Sequence, residues 1–265
     1  MITDFHAHVT VDVPAQLARA RQAGVGRTVL QSTRIHPEAP TTLDGLRAEF
    51  ARLAAVIGGE AGPEEEFHAA MDELRDALDA HPGEAVALAN LRLTTTPTTA
   101  SQARARLDDM LARPGFVGIG ELTPAPGQAH LIEPALAVSA DHGGVPVLVH
   151  GFAPNTADDL RTYASLAARY RTVPVVVGAL GGLNWLELVD LARETPNLHI
   201  DLSSALQVFA VRAAVRELPE RCLFGSNTPY GDVVAARHTV EAAVADPAVR
   251  DLVLGGNAAR LLARG

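Results

Sequence analysis

The chain opens Met1-Ile2-Thr3-Asp4-Phe5-His6-Ala7-His8, a short apolar run ending in two histidines one residue apart. On a β-strand alternate side chains share a face, so His6 and His8 are expected to point the same way. Two imidazoles side by side at the end of a first strand make half of a divalent metal site. The pattern recurs downstream, where Glu121, His150, Asp201 and Asn227 each close a short apolar run.

Seven further runs read as strands: Thr28–Ser32, Ala85–Asn90, Val117–Glu121, Pro146–His150, Val173–Gly178, Leu198–Leu202 and Arg221–Gly225. With Ile2–Phe5 they make eight. Helical periodicity falls between them, near Pro14–Ala23, Thr99–Ala112, Leu131–His142, Thr156–Tyr170, Trp185–Glu194, Gln207–Glu217 and Asp232–Ala245. A short helix, Asn257–Ala263, follows the last of these. Strands alternating with helices imply right-handed parallel crossovers. Eight such units in 265 residues match a closed (β/α)8 barrel of about 250 residues better than an open sheet. The expectation is one α/β domain over residues 1–265. A helical insertion at about 34–83, with helices near Leu43–Ile57 and Glu64–Ala80, would stand as a wall over the barrel mouth. The one low-complexity tract is Thr94–Thr99.

Composition narrows the chemistry. Net charge is −9, from 22 basic and 31 acidic residues, which disfavours a nucleic-acid partner. No apolar stretch is long enough for a membrane span, and the start reads as a strand rather than a signal peptide. The single cysteine, Cys222, excludes an internal disulfide and suits the cytoplasm. All 22 basic residues are arginine. Without lysine there is no Schiff-base route, no covalent pyridoxal phosphate and no carbamylated lysine between two metals.

In a parallel barrel the reacting groups sit at the C-terminal ends of the strands. Strand one offers His6 and His8; strand two Gln31, Arg34 and His36; strand three Asn90 and Arg92. The remaining strands end in Glu121, His150, Ala179, Asp201 and Asn227. His6, His8 and His150, with Glu121, form a donor set suited to Zn²⁺ first, and to Mn²⁺, Fe²⁺ or Ni²⁺ by ligand type. Arg34 and Arg92 could clamp a substrate carboxylate in bidentate fashion, with His36 beside them. His130, His142 and His238 fall on helices outside the barrel, and His199 reads as structural. Gly181-Gly182 reads as a tight turn leading to the Trp185 helix.

Several segments together resemble the amidohydrolase superfamily, in particular its branch of aminocarboxymuconate semialdehyde decarboxylase-like enzymes. They are Asp4-Phe5-His6-Ala7-His8, Val147-Leu148-Val149-His150, Gly178-Ala179-Leu180-Gly181-Gly182 and Asn197-Leu198-His199-Ile200-Asp201-Leu202-Ser203. Leu223-Phe224-Gly225-Ser226-Asn227-Thr228-Pro229 and Gly255-Gly256-Asn257-Ala258-Ala259-Arg260-Leu261-Leu262 complete the match. The resemblance implies a (β/α)8 barrel whose first-strand histidines and fifth-strand histidine hold a metal. Glu121 resembles the bridging carboxylate of TatD-like members.

Two positions depart from that pattern. Such enzymes usually carry histidine where Ala179 stands and aspartate where Asn227 stands. An asparagine can offer its carbonyl oxygen to a metal but accepts no proton near neutral pH. General-base help of about 10²–10⁴-fold would then have to come from Glu121, with Asp201 and Asp232 behind it. A two-metal centre would also lack an imidazole at position 179. The first expectation is a metal-dependent hydrolase acting on a small organic acid, amide or lactone, with Glu121, Asn227 and Asp201 as the catalytic candidates. The alternatives are lyase, decarboxylase or isomerase chemistry on the same scaffold, and a ligand-binding barrel without turnover. A small-molecule substrate is the expected partner, and a homo-oligomer is compatible with the sequence.

Overall fold

Ile2–His8 forms β1, and every side chain from Thr3 onward is buried, as expected for a strand covered on both faces in a parallel sheet. The computed structural model describes residues 1–60, 62–93 and 98–263. The other strands are β2 (Val25–Gln31), β3 (Ala85–Ala89), β4 (Phe116–Leu122), β5 (Val147–Val149), β6 (Val175–Val177), β7 (Leu198–Asp201) and β8 (Cys222–Leu223). All neighbouring pairs run parallel in sequence order. The chain is a single-domain (β/α)8 barrel. Most of the Thr94–Thr99 tract lies outside the described residues.

The helices on the outside are α1 (Val13–Gln22), α2 (Leu43–Ile57), α3 (Glu64–Ala80), α4 (Thr98–Leu111), α5 (Glu133–Asp141) and α6 (Ala157–Arg169). They continue with α7 (Trp185–Glu194), α8 (Val208–Glu217), α9 (Val233–Ala243), α10 (Pro247–Asp251) and α11 (Asn257–Leu262). The helix expected over Leu131–His142 divides. Ala129–Ile132 is a 3-10 turn and α5 starts at Glu133, because Pro134 suits only the first turn of an α-helix. Between β2 and β3 the two helices differ in kind. α3 buries Ala70, Met71, Leu74, Ala77 and Leu78 and covers β3, whereas α2 buries no residue. α2 is thus the element added to the barrel, and α3 is the ordinary crossover helix.

Six strands fill the interior with one layer: Phe5, Val29, Leu88, Leu148, Val176 and Leu223. Ala258 and Leu261 of α11 close it from below. The register of β1 against β2 shifts between Asp4 and Ala7. That irregularity lets Phe5 join the inner layer while His6 still reaches the mouth, as an extra residue in one strand re-aims its neighbours. Strict alternation does not survive here: Asp4 turns away from the mouth that His6 and His8 line.

The ladder of β8 is only two residues long, so the barrel closes through the segment that follows it. Phe5 N donates to Phe224 O (2.9 Å), Asn227 N to His6 O (2.7 Å) and His8 N to Thr228 O (2.7 Å). Asp4 bolts this seam from outside. Its carboxylate accepts from Ser226 Oγ (2.6 Å), Ser226 N (2.8 Å) and His6 N (3.3 Å). Burial pushes the Asp4 carboxyl up to about 6 despite those donors.

Removing the carboxylate in Asp4→Ala leaves the Ser226 and His6 donors unmet, and should cost about 1–3 kcal/mol of stability in chemical denaturation. The folded protein holds the Asp4 proton more tightly than an unfolded chain at 3.8. Its stabilising contribution is therefore full below pH 3.8 and lost as pH rises through about 6. Asp4→Asn should remove that component of the pH profile. A profile unchanged in shape would refute the assignment.

Candidate metal centre

The strand ends deliver their side chains to one place. His6 Nε2 and His8 Nε2 each lie 3.6 Å from Glu121 Oε2, and His150 Nδ1 lies 3.0 Å from Glu121 Oε1. One ligand atom each from His6, His8 and Glu121 falls within 4.8 Å of the others. His150 stands just outside that group, joined to it through the second oxygen of Glu121. Buried ring atoms without a hydrogen-bond partner remain at His6 Nε2, His8 Nδ1 and His150 Nε2. Orphaned buried nitrogens are uncommon. His8 and His150 face Glu121 through their other ring nitrogens. His6 Nε2 is itself beside that carboxylate, and an orphaned imidazole nitrogen there is what a divalent ion would satisfy. The residues present fit such an ion.

Asp201 is fully buried behind His6 and accepts from His6 Nδ1 at 2.8 Å, from Ala179 N at 3.1 Å and from the Ser203 hydroxyl. Fixing Nδ1 leaves Nε2 as the atom presented to the mouth. Burial alone would depress His6, but the carboxylates of Asp201 and Glu121 outweigh it and hold the ring up to about 10. Burial takes His8 the other way, to about 4, with Glu121 opposing and His6 reinforcing. Burial would raise Glu121, yet His6 and His150 hold it well below the usual carboxylate range. The pocket therefore stabilises one positive charge between two buried carboxylates.

Asn227 has a left-handed backbone, φ 53°, which asparagine tolerates better than most residues. Its Nδ2 donates to Ser204 Oγ at 2.8 Å, while Oδ1 is buried and unpartnered. Ala179 and Leu180 are left-handed too (φ 52° and 53°), followed by Gly181 and Gly182 at 71° and 59°. This is the tight turn expected before α7. A Cβ on Gly182 would stand 3.0 Å from the Phe152 ring.

Above the floor opens a cavity of about 660 Å³. His6, His8, Glu121, His150, Ala179 and Asn227 line it, and so do Asn90, Arg34 and Arg92. Arg92 Nη2 donates to Gly62 O at 2.7 Å. Gly62 has a left-handed backbone (φ 61°), and a Cβ there would lie 2.3 Å from Arg34 Nη1, so a side chain at 62 would push the guanidinium aside. Burial lowers the Arg34 pKa; Glu66 opposes this, and the positive charges of Arg92 and Arg52 add to it. His36 does not line the cavity. Its ring turns to Glu38 (3.3 Å) and Glu73 (3.7 Å). Asp201 is also absent from the lining and meets the site through His6. Asp232 caps α9 and pairs with Arg19.

Two participants escaped the sequence reading. Tyr230 lines the cavity, edge-on to the His8 ring at 5.7 Å. It follows a Thr228-Pro229 turn that carries no periodic signal. Ser203 could have been found, since it lies two residues beyond Asp201.

If Asp201 fixes His6, Asp201→Asn should weaken Mn²⁺ or Zn²⁺ binding by about 10–100-fold in calorimetry while the fold persists. Unchanged affinity would contradict the arrangement. In metal-free protein the His6 proton is held to about 10 against an ordinary 6.5. That stabilisation is full below pH 6.5 and fades as pH rises through 10. Added metal, which replaces the proton, should flatten the decline.

The Amidohydrolase family model matches residues 3–264. A sequence search of curated proteins finds no match. Among solved structures, 5-carboxyvanillate decarboxylase from Sphingomonas paucimobilis superposes with a TM-score of 0.67 at 16% identity, over 100% of this chain and 99% of that one. Dihydroxybenzoic acid decarboxylase from Polaromonas sp. JS666, with bound manganese and 2-nitroresorcinol, gives 0.64 at 14% identity, covering 99% and 96%. The 4-oxalomesaconate hydratase of Rhodopseudomonas palustris gives 0.66 at 15% identity, covering 100% and 96%. At such identities these likenesses establish the fold alone. Among the described residues no helix is long and apolar enough to cross a membrane. With a family model spanning nearly its whole length, the chain belongs to the Amidohydrolase family.

Proposed function

We propose that this chain is a divalent-metal-dependent lyase of the decarboxylase type, acting on an organic acid. The observation that carries the reading is Asn227. At the β8 end, beside the imidazole–carboxylate cluster, stands an amide whose oxygen takes no proton near neutrality. Glu121 is already engaged by three histidines, and Asp201 is sealed behind His6. Of the two carboxylates among the described lining residues, Glu121 is thus engaged, and Glu60 stands exposed just past α2 rather than at a strand end. A hydrolase needs a base for its attacking water; a decarboxylase, which replaces a carboxylate by a proton, needs a sink and a proton donor.

His6, His8 and Glu121 would hold the ion, with His150 completing the set or fixing Glu121 through Nδ1. Zn²⁺ suits these donors, and Mn²⁺ suits them nearly as well. Bound there, the ion supplies Lewis acidity toward a carboxylate or carbonyl oxygen. Arg34 and Arg92 would hold an acid group on the β2–β3 side of the cavity, where bidentate guanidinium contacts set its orientation. Asn227 would present its carbonyl oxygen inward while Nδ2 stays on Ser204. Tyr230, with its O–H kept protonated by burial and by the nearby carboxylates of Glu121, Glu38 and Glu49, can donate a hydrogen bond or proton at the mouth. Asp201 acts through His6 as a positioning residue. Structural neighbours that include two decarboxylases and a hydratase favour the same class.

The test is carbon dioxide release from a panel of carboxylic acids bearing a carbonyl or phenol β to the carboxylate, with Mn²⁺ or Zn²⁺ supplied. Release should fall at least about 100-fold in His8→Ala and on chelation. The hydrolase reading, the family's more familiar chemistry, predicts turnover of simple lactones or esters by the native protein. On the lyase reading, that turnover should appear only in the double variant Ala179→His, Asn227→Asp. Native lactonase activity without decarboxylation would overturn the proposal.

A further inference from the structure

We infer that the site takes an amphipathic carboxylic acid whose extended apolar body lies along the inner stripe of α2. The inference rests on the organic-acid reading above and specifies the substrate class. Leu46, Phe50, Leu53 and Ile57 recur at helical spacing on α2, the pattern of a helix with one apolar face. Such a face is ordinarily buried against a core, yet α2 buries no residue. Among the described residues, none of these four belongs to the core clusters or packs against them. Phe50, Leu53 and Ile57 instead line the cavity whose floor carries His6, His8 and Glu121.

Polar and steric ties at its flanks, rather than core packing, hold α2 over the mouth. Glu49 Oε2 accepts from the backbone N of His36 at 3.4 Å, beside the end of β2. Past the other end of the helix, a Cβ on Gly59 would stand 2.7 Å from Ala125, in the segment after β4. The helix therefore reaches from the β2 side of the mouth to the β4 side. Leu93, Phe152 and Leu206 extend the apolar lining. Arg34 and Arg92 line the same cavity, so an anionic head and an apolar body both have a place. A volume of 660 Å³ falls inside the range of about 300–1,000 Å³ that accommodates drug-sized ligands. A solvated apolar stripe that opens into a polar site gains most from a ligand carrying both characters.

The experiment measures binding of straight-chain carboxylates from butanoate to dodecanoate by calorimetry, with and without Mn²⁺. Affinity should rise roughly fourfold for each added methylene until the cavity is filled. Leu53→Asp and Ile57→Asp should abolish that gain, leaving dodecanoate no tighter than butanoate, with Mn²⁺ affinity unchanged. Leu43→Asp, the same charge at an exposed position on α2 outside the cavity, should keep the gain and serves as the control for folding. No chain-length dependence in the native protein, or a dependence that survives Leu53→Asp, overturns the inference. So does a native dimer that Leu53→Asp splits without changing dodecanoate affinity, since a second copy would then cover the stripe. Because the gain is read with and without Mn²⁺, loss of metal binding or turnover sinks the lyase reading without imitating any of these outcomes.

Discussion

His6 is clamped on both sides of its ring. Nδ1 is fixed by Asp201, Nε2 faces Glu121, and its own carbonyl accepts from Ser226 N (3.1 Å) and Asn227 N (2.7 Å). The residue that heads the candidate metal centre is also the one on which the barrel closes. Two buried carboxylates on either side of one imidazole would be costly in a medium of low dielectric without a positive charge between them. The proton on His6 supplies that charge in the metal-free protein, and a divalent ion would supply it better. Site and seam are thus one electrostatic object.

This coupling explains why the strand ends are so polar while the layer below is so apolar. Phe5, Val29, Leu88, Leu148, Val176 and Leu223 exclude water beneath the site, so the polar groups above must satisfy each other. Asp201 does so with four donors, and Asp4 does the same with three on the outer side of the seam. The rings of His6, His8 and His150 keep unpartnered nitrogens in the same small space. With Asn227 Oδ1, also unpartnered and lining the mouth, they make a set of unmet polar atoms arranged to receive something.

The fold was legible because each strand is a short apolar run closed by a polar residue, and barrels place those residues together. β1 was readable as a strand, but not its irregularity: the slip between Asp4 and Ala7 depends on where β2 and β8 meet it. β8 was visible as an apolar run, although its regular ladder is two residues and the rest of its closure comes from loop amides. Placement of His36 was not legible, since a residue on a loop goes where local carboxylates, here Glu38 and Glu73, take it. Arg34 lies two residues earlier and does reach the cavity, its guanidinium packed against the backbone of Gly62. The role of α2 was also hidden. Its amphipathic pattern is the same whether the apolar face meets a core or an open cavity, and only tertiary placement decides.

Position 227 is held by three constraints of different strength. The backbone must be left-handed, its N–H must reach His6 O, and its carbonyl must accept from Gly231 N at 3.0 Å. Aspartate and asparagine both meet all three, so the exchange leaves the closure of the barrel untouched. What changes is the side chain alone: one carboxylate oxygen becomes an N–H pair that turns to Ser204. With asparagine the barrel keeps its seam and its imidazole–carboxylate cluster, while the side chain offers no proton acceptor near neutral pH. That separation of scaffold from chemistry is what a strand-end position permits: the choice between aspartate and asparagine there bears on the groups the mouth offers rather than on the fold.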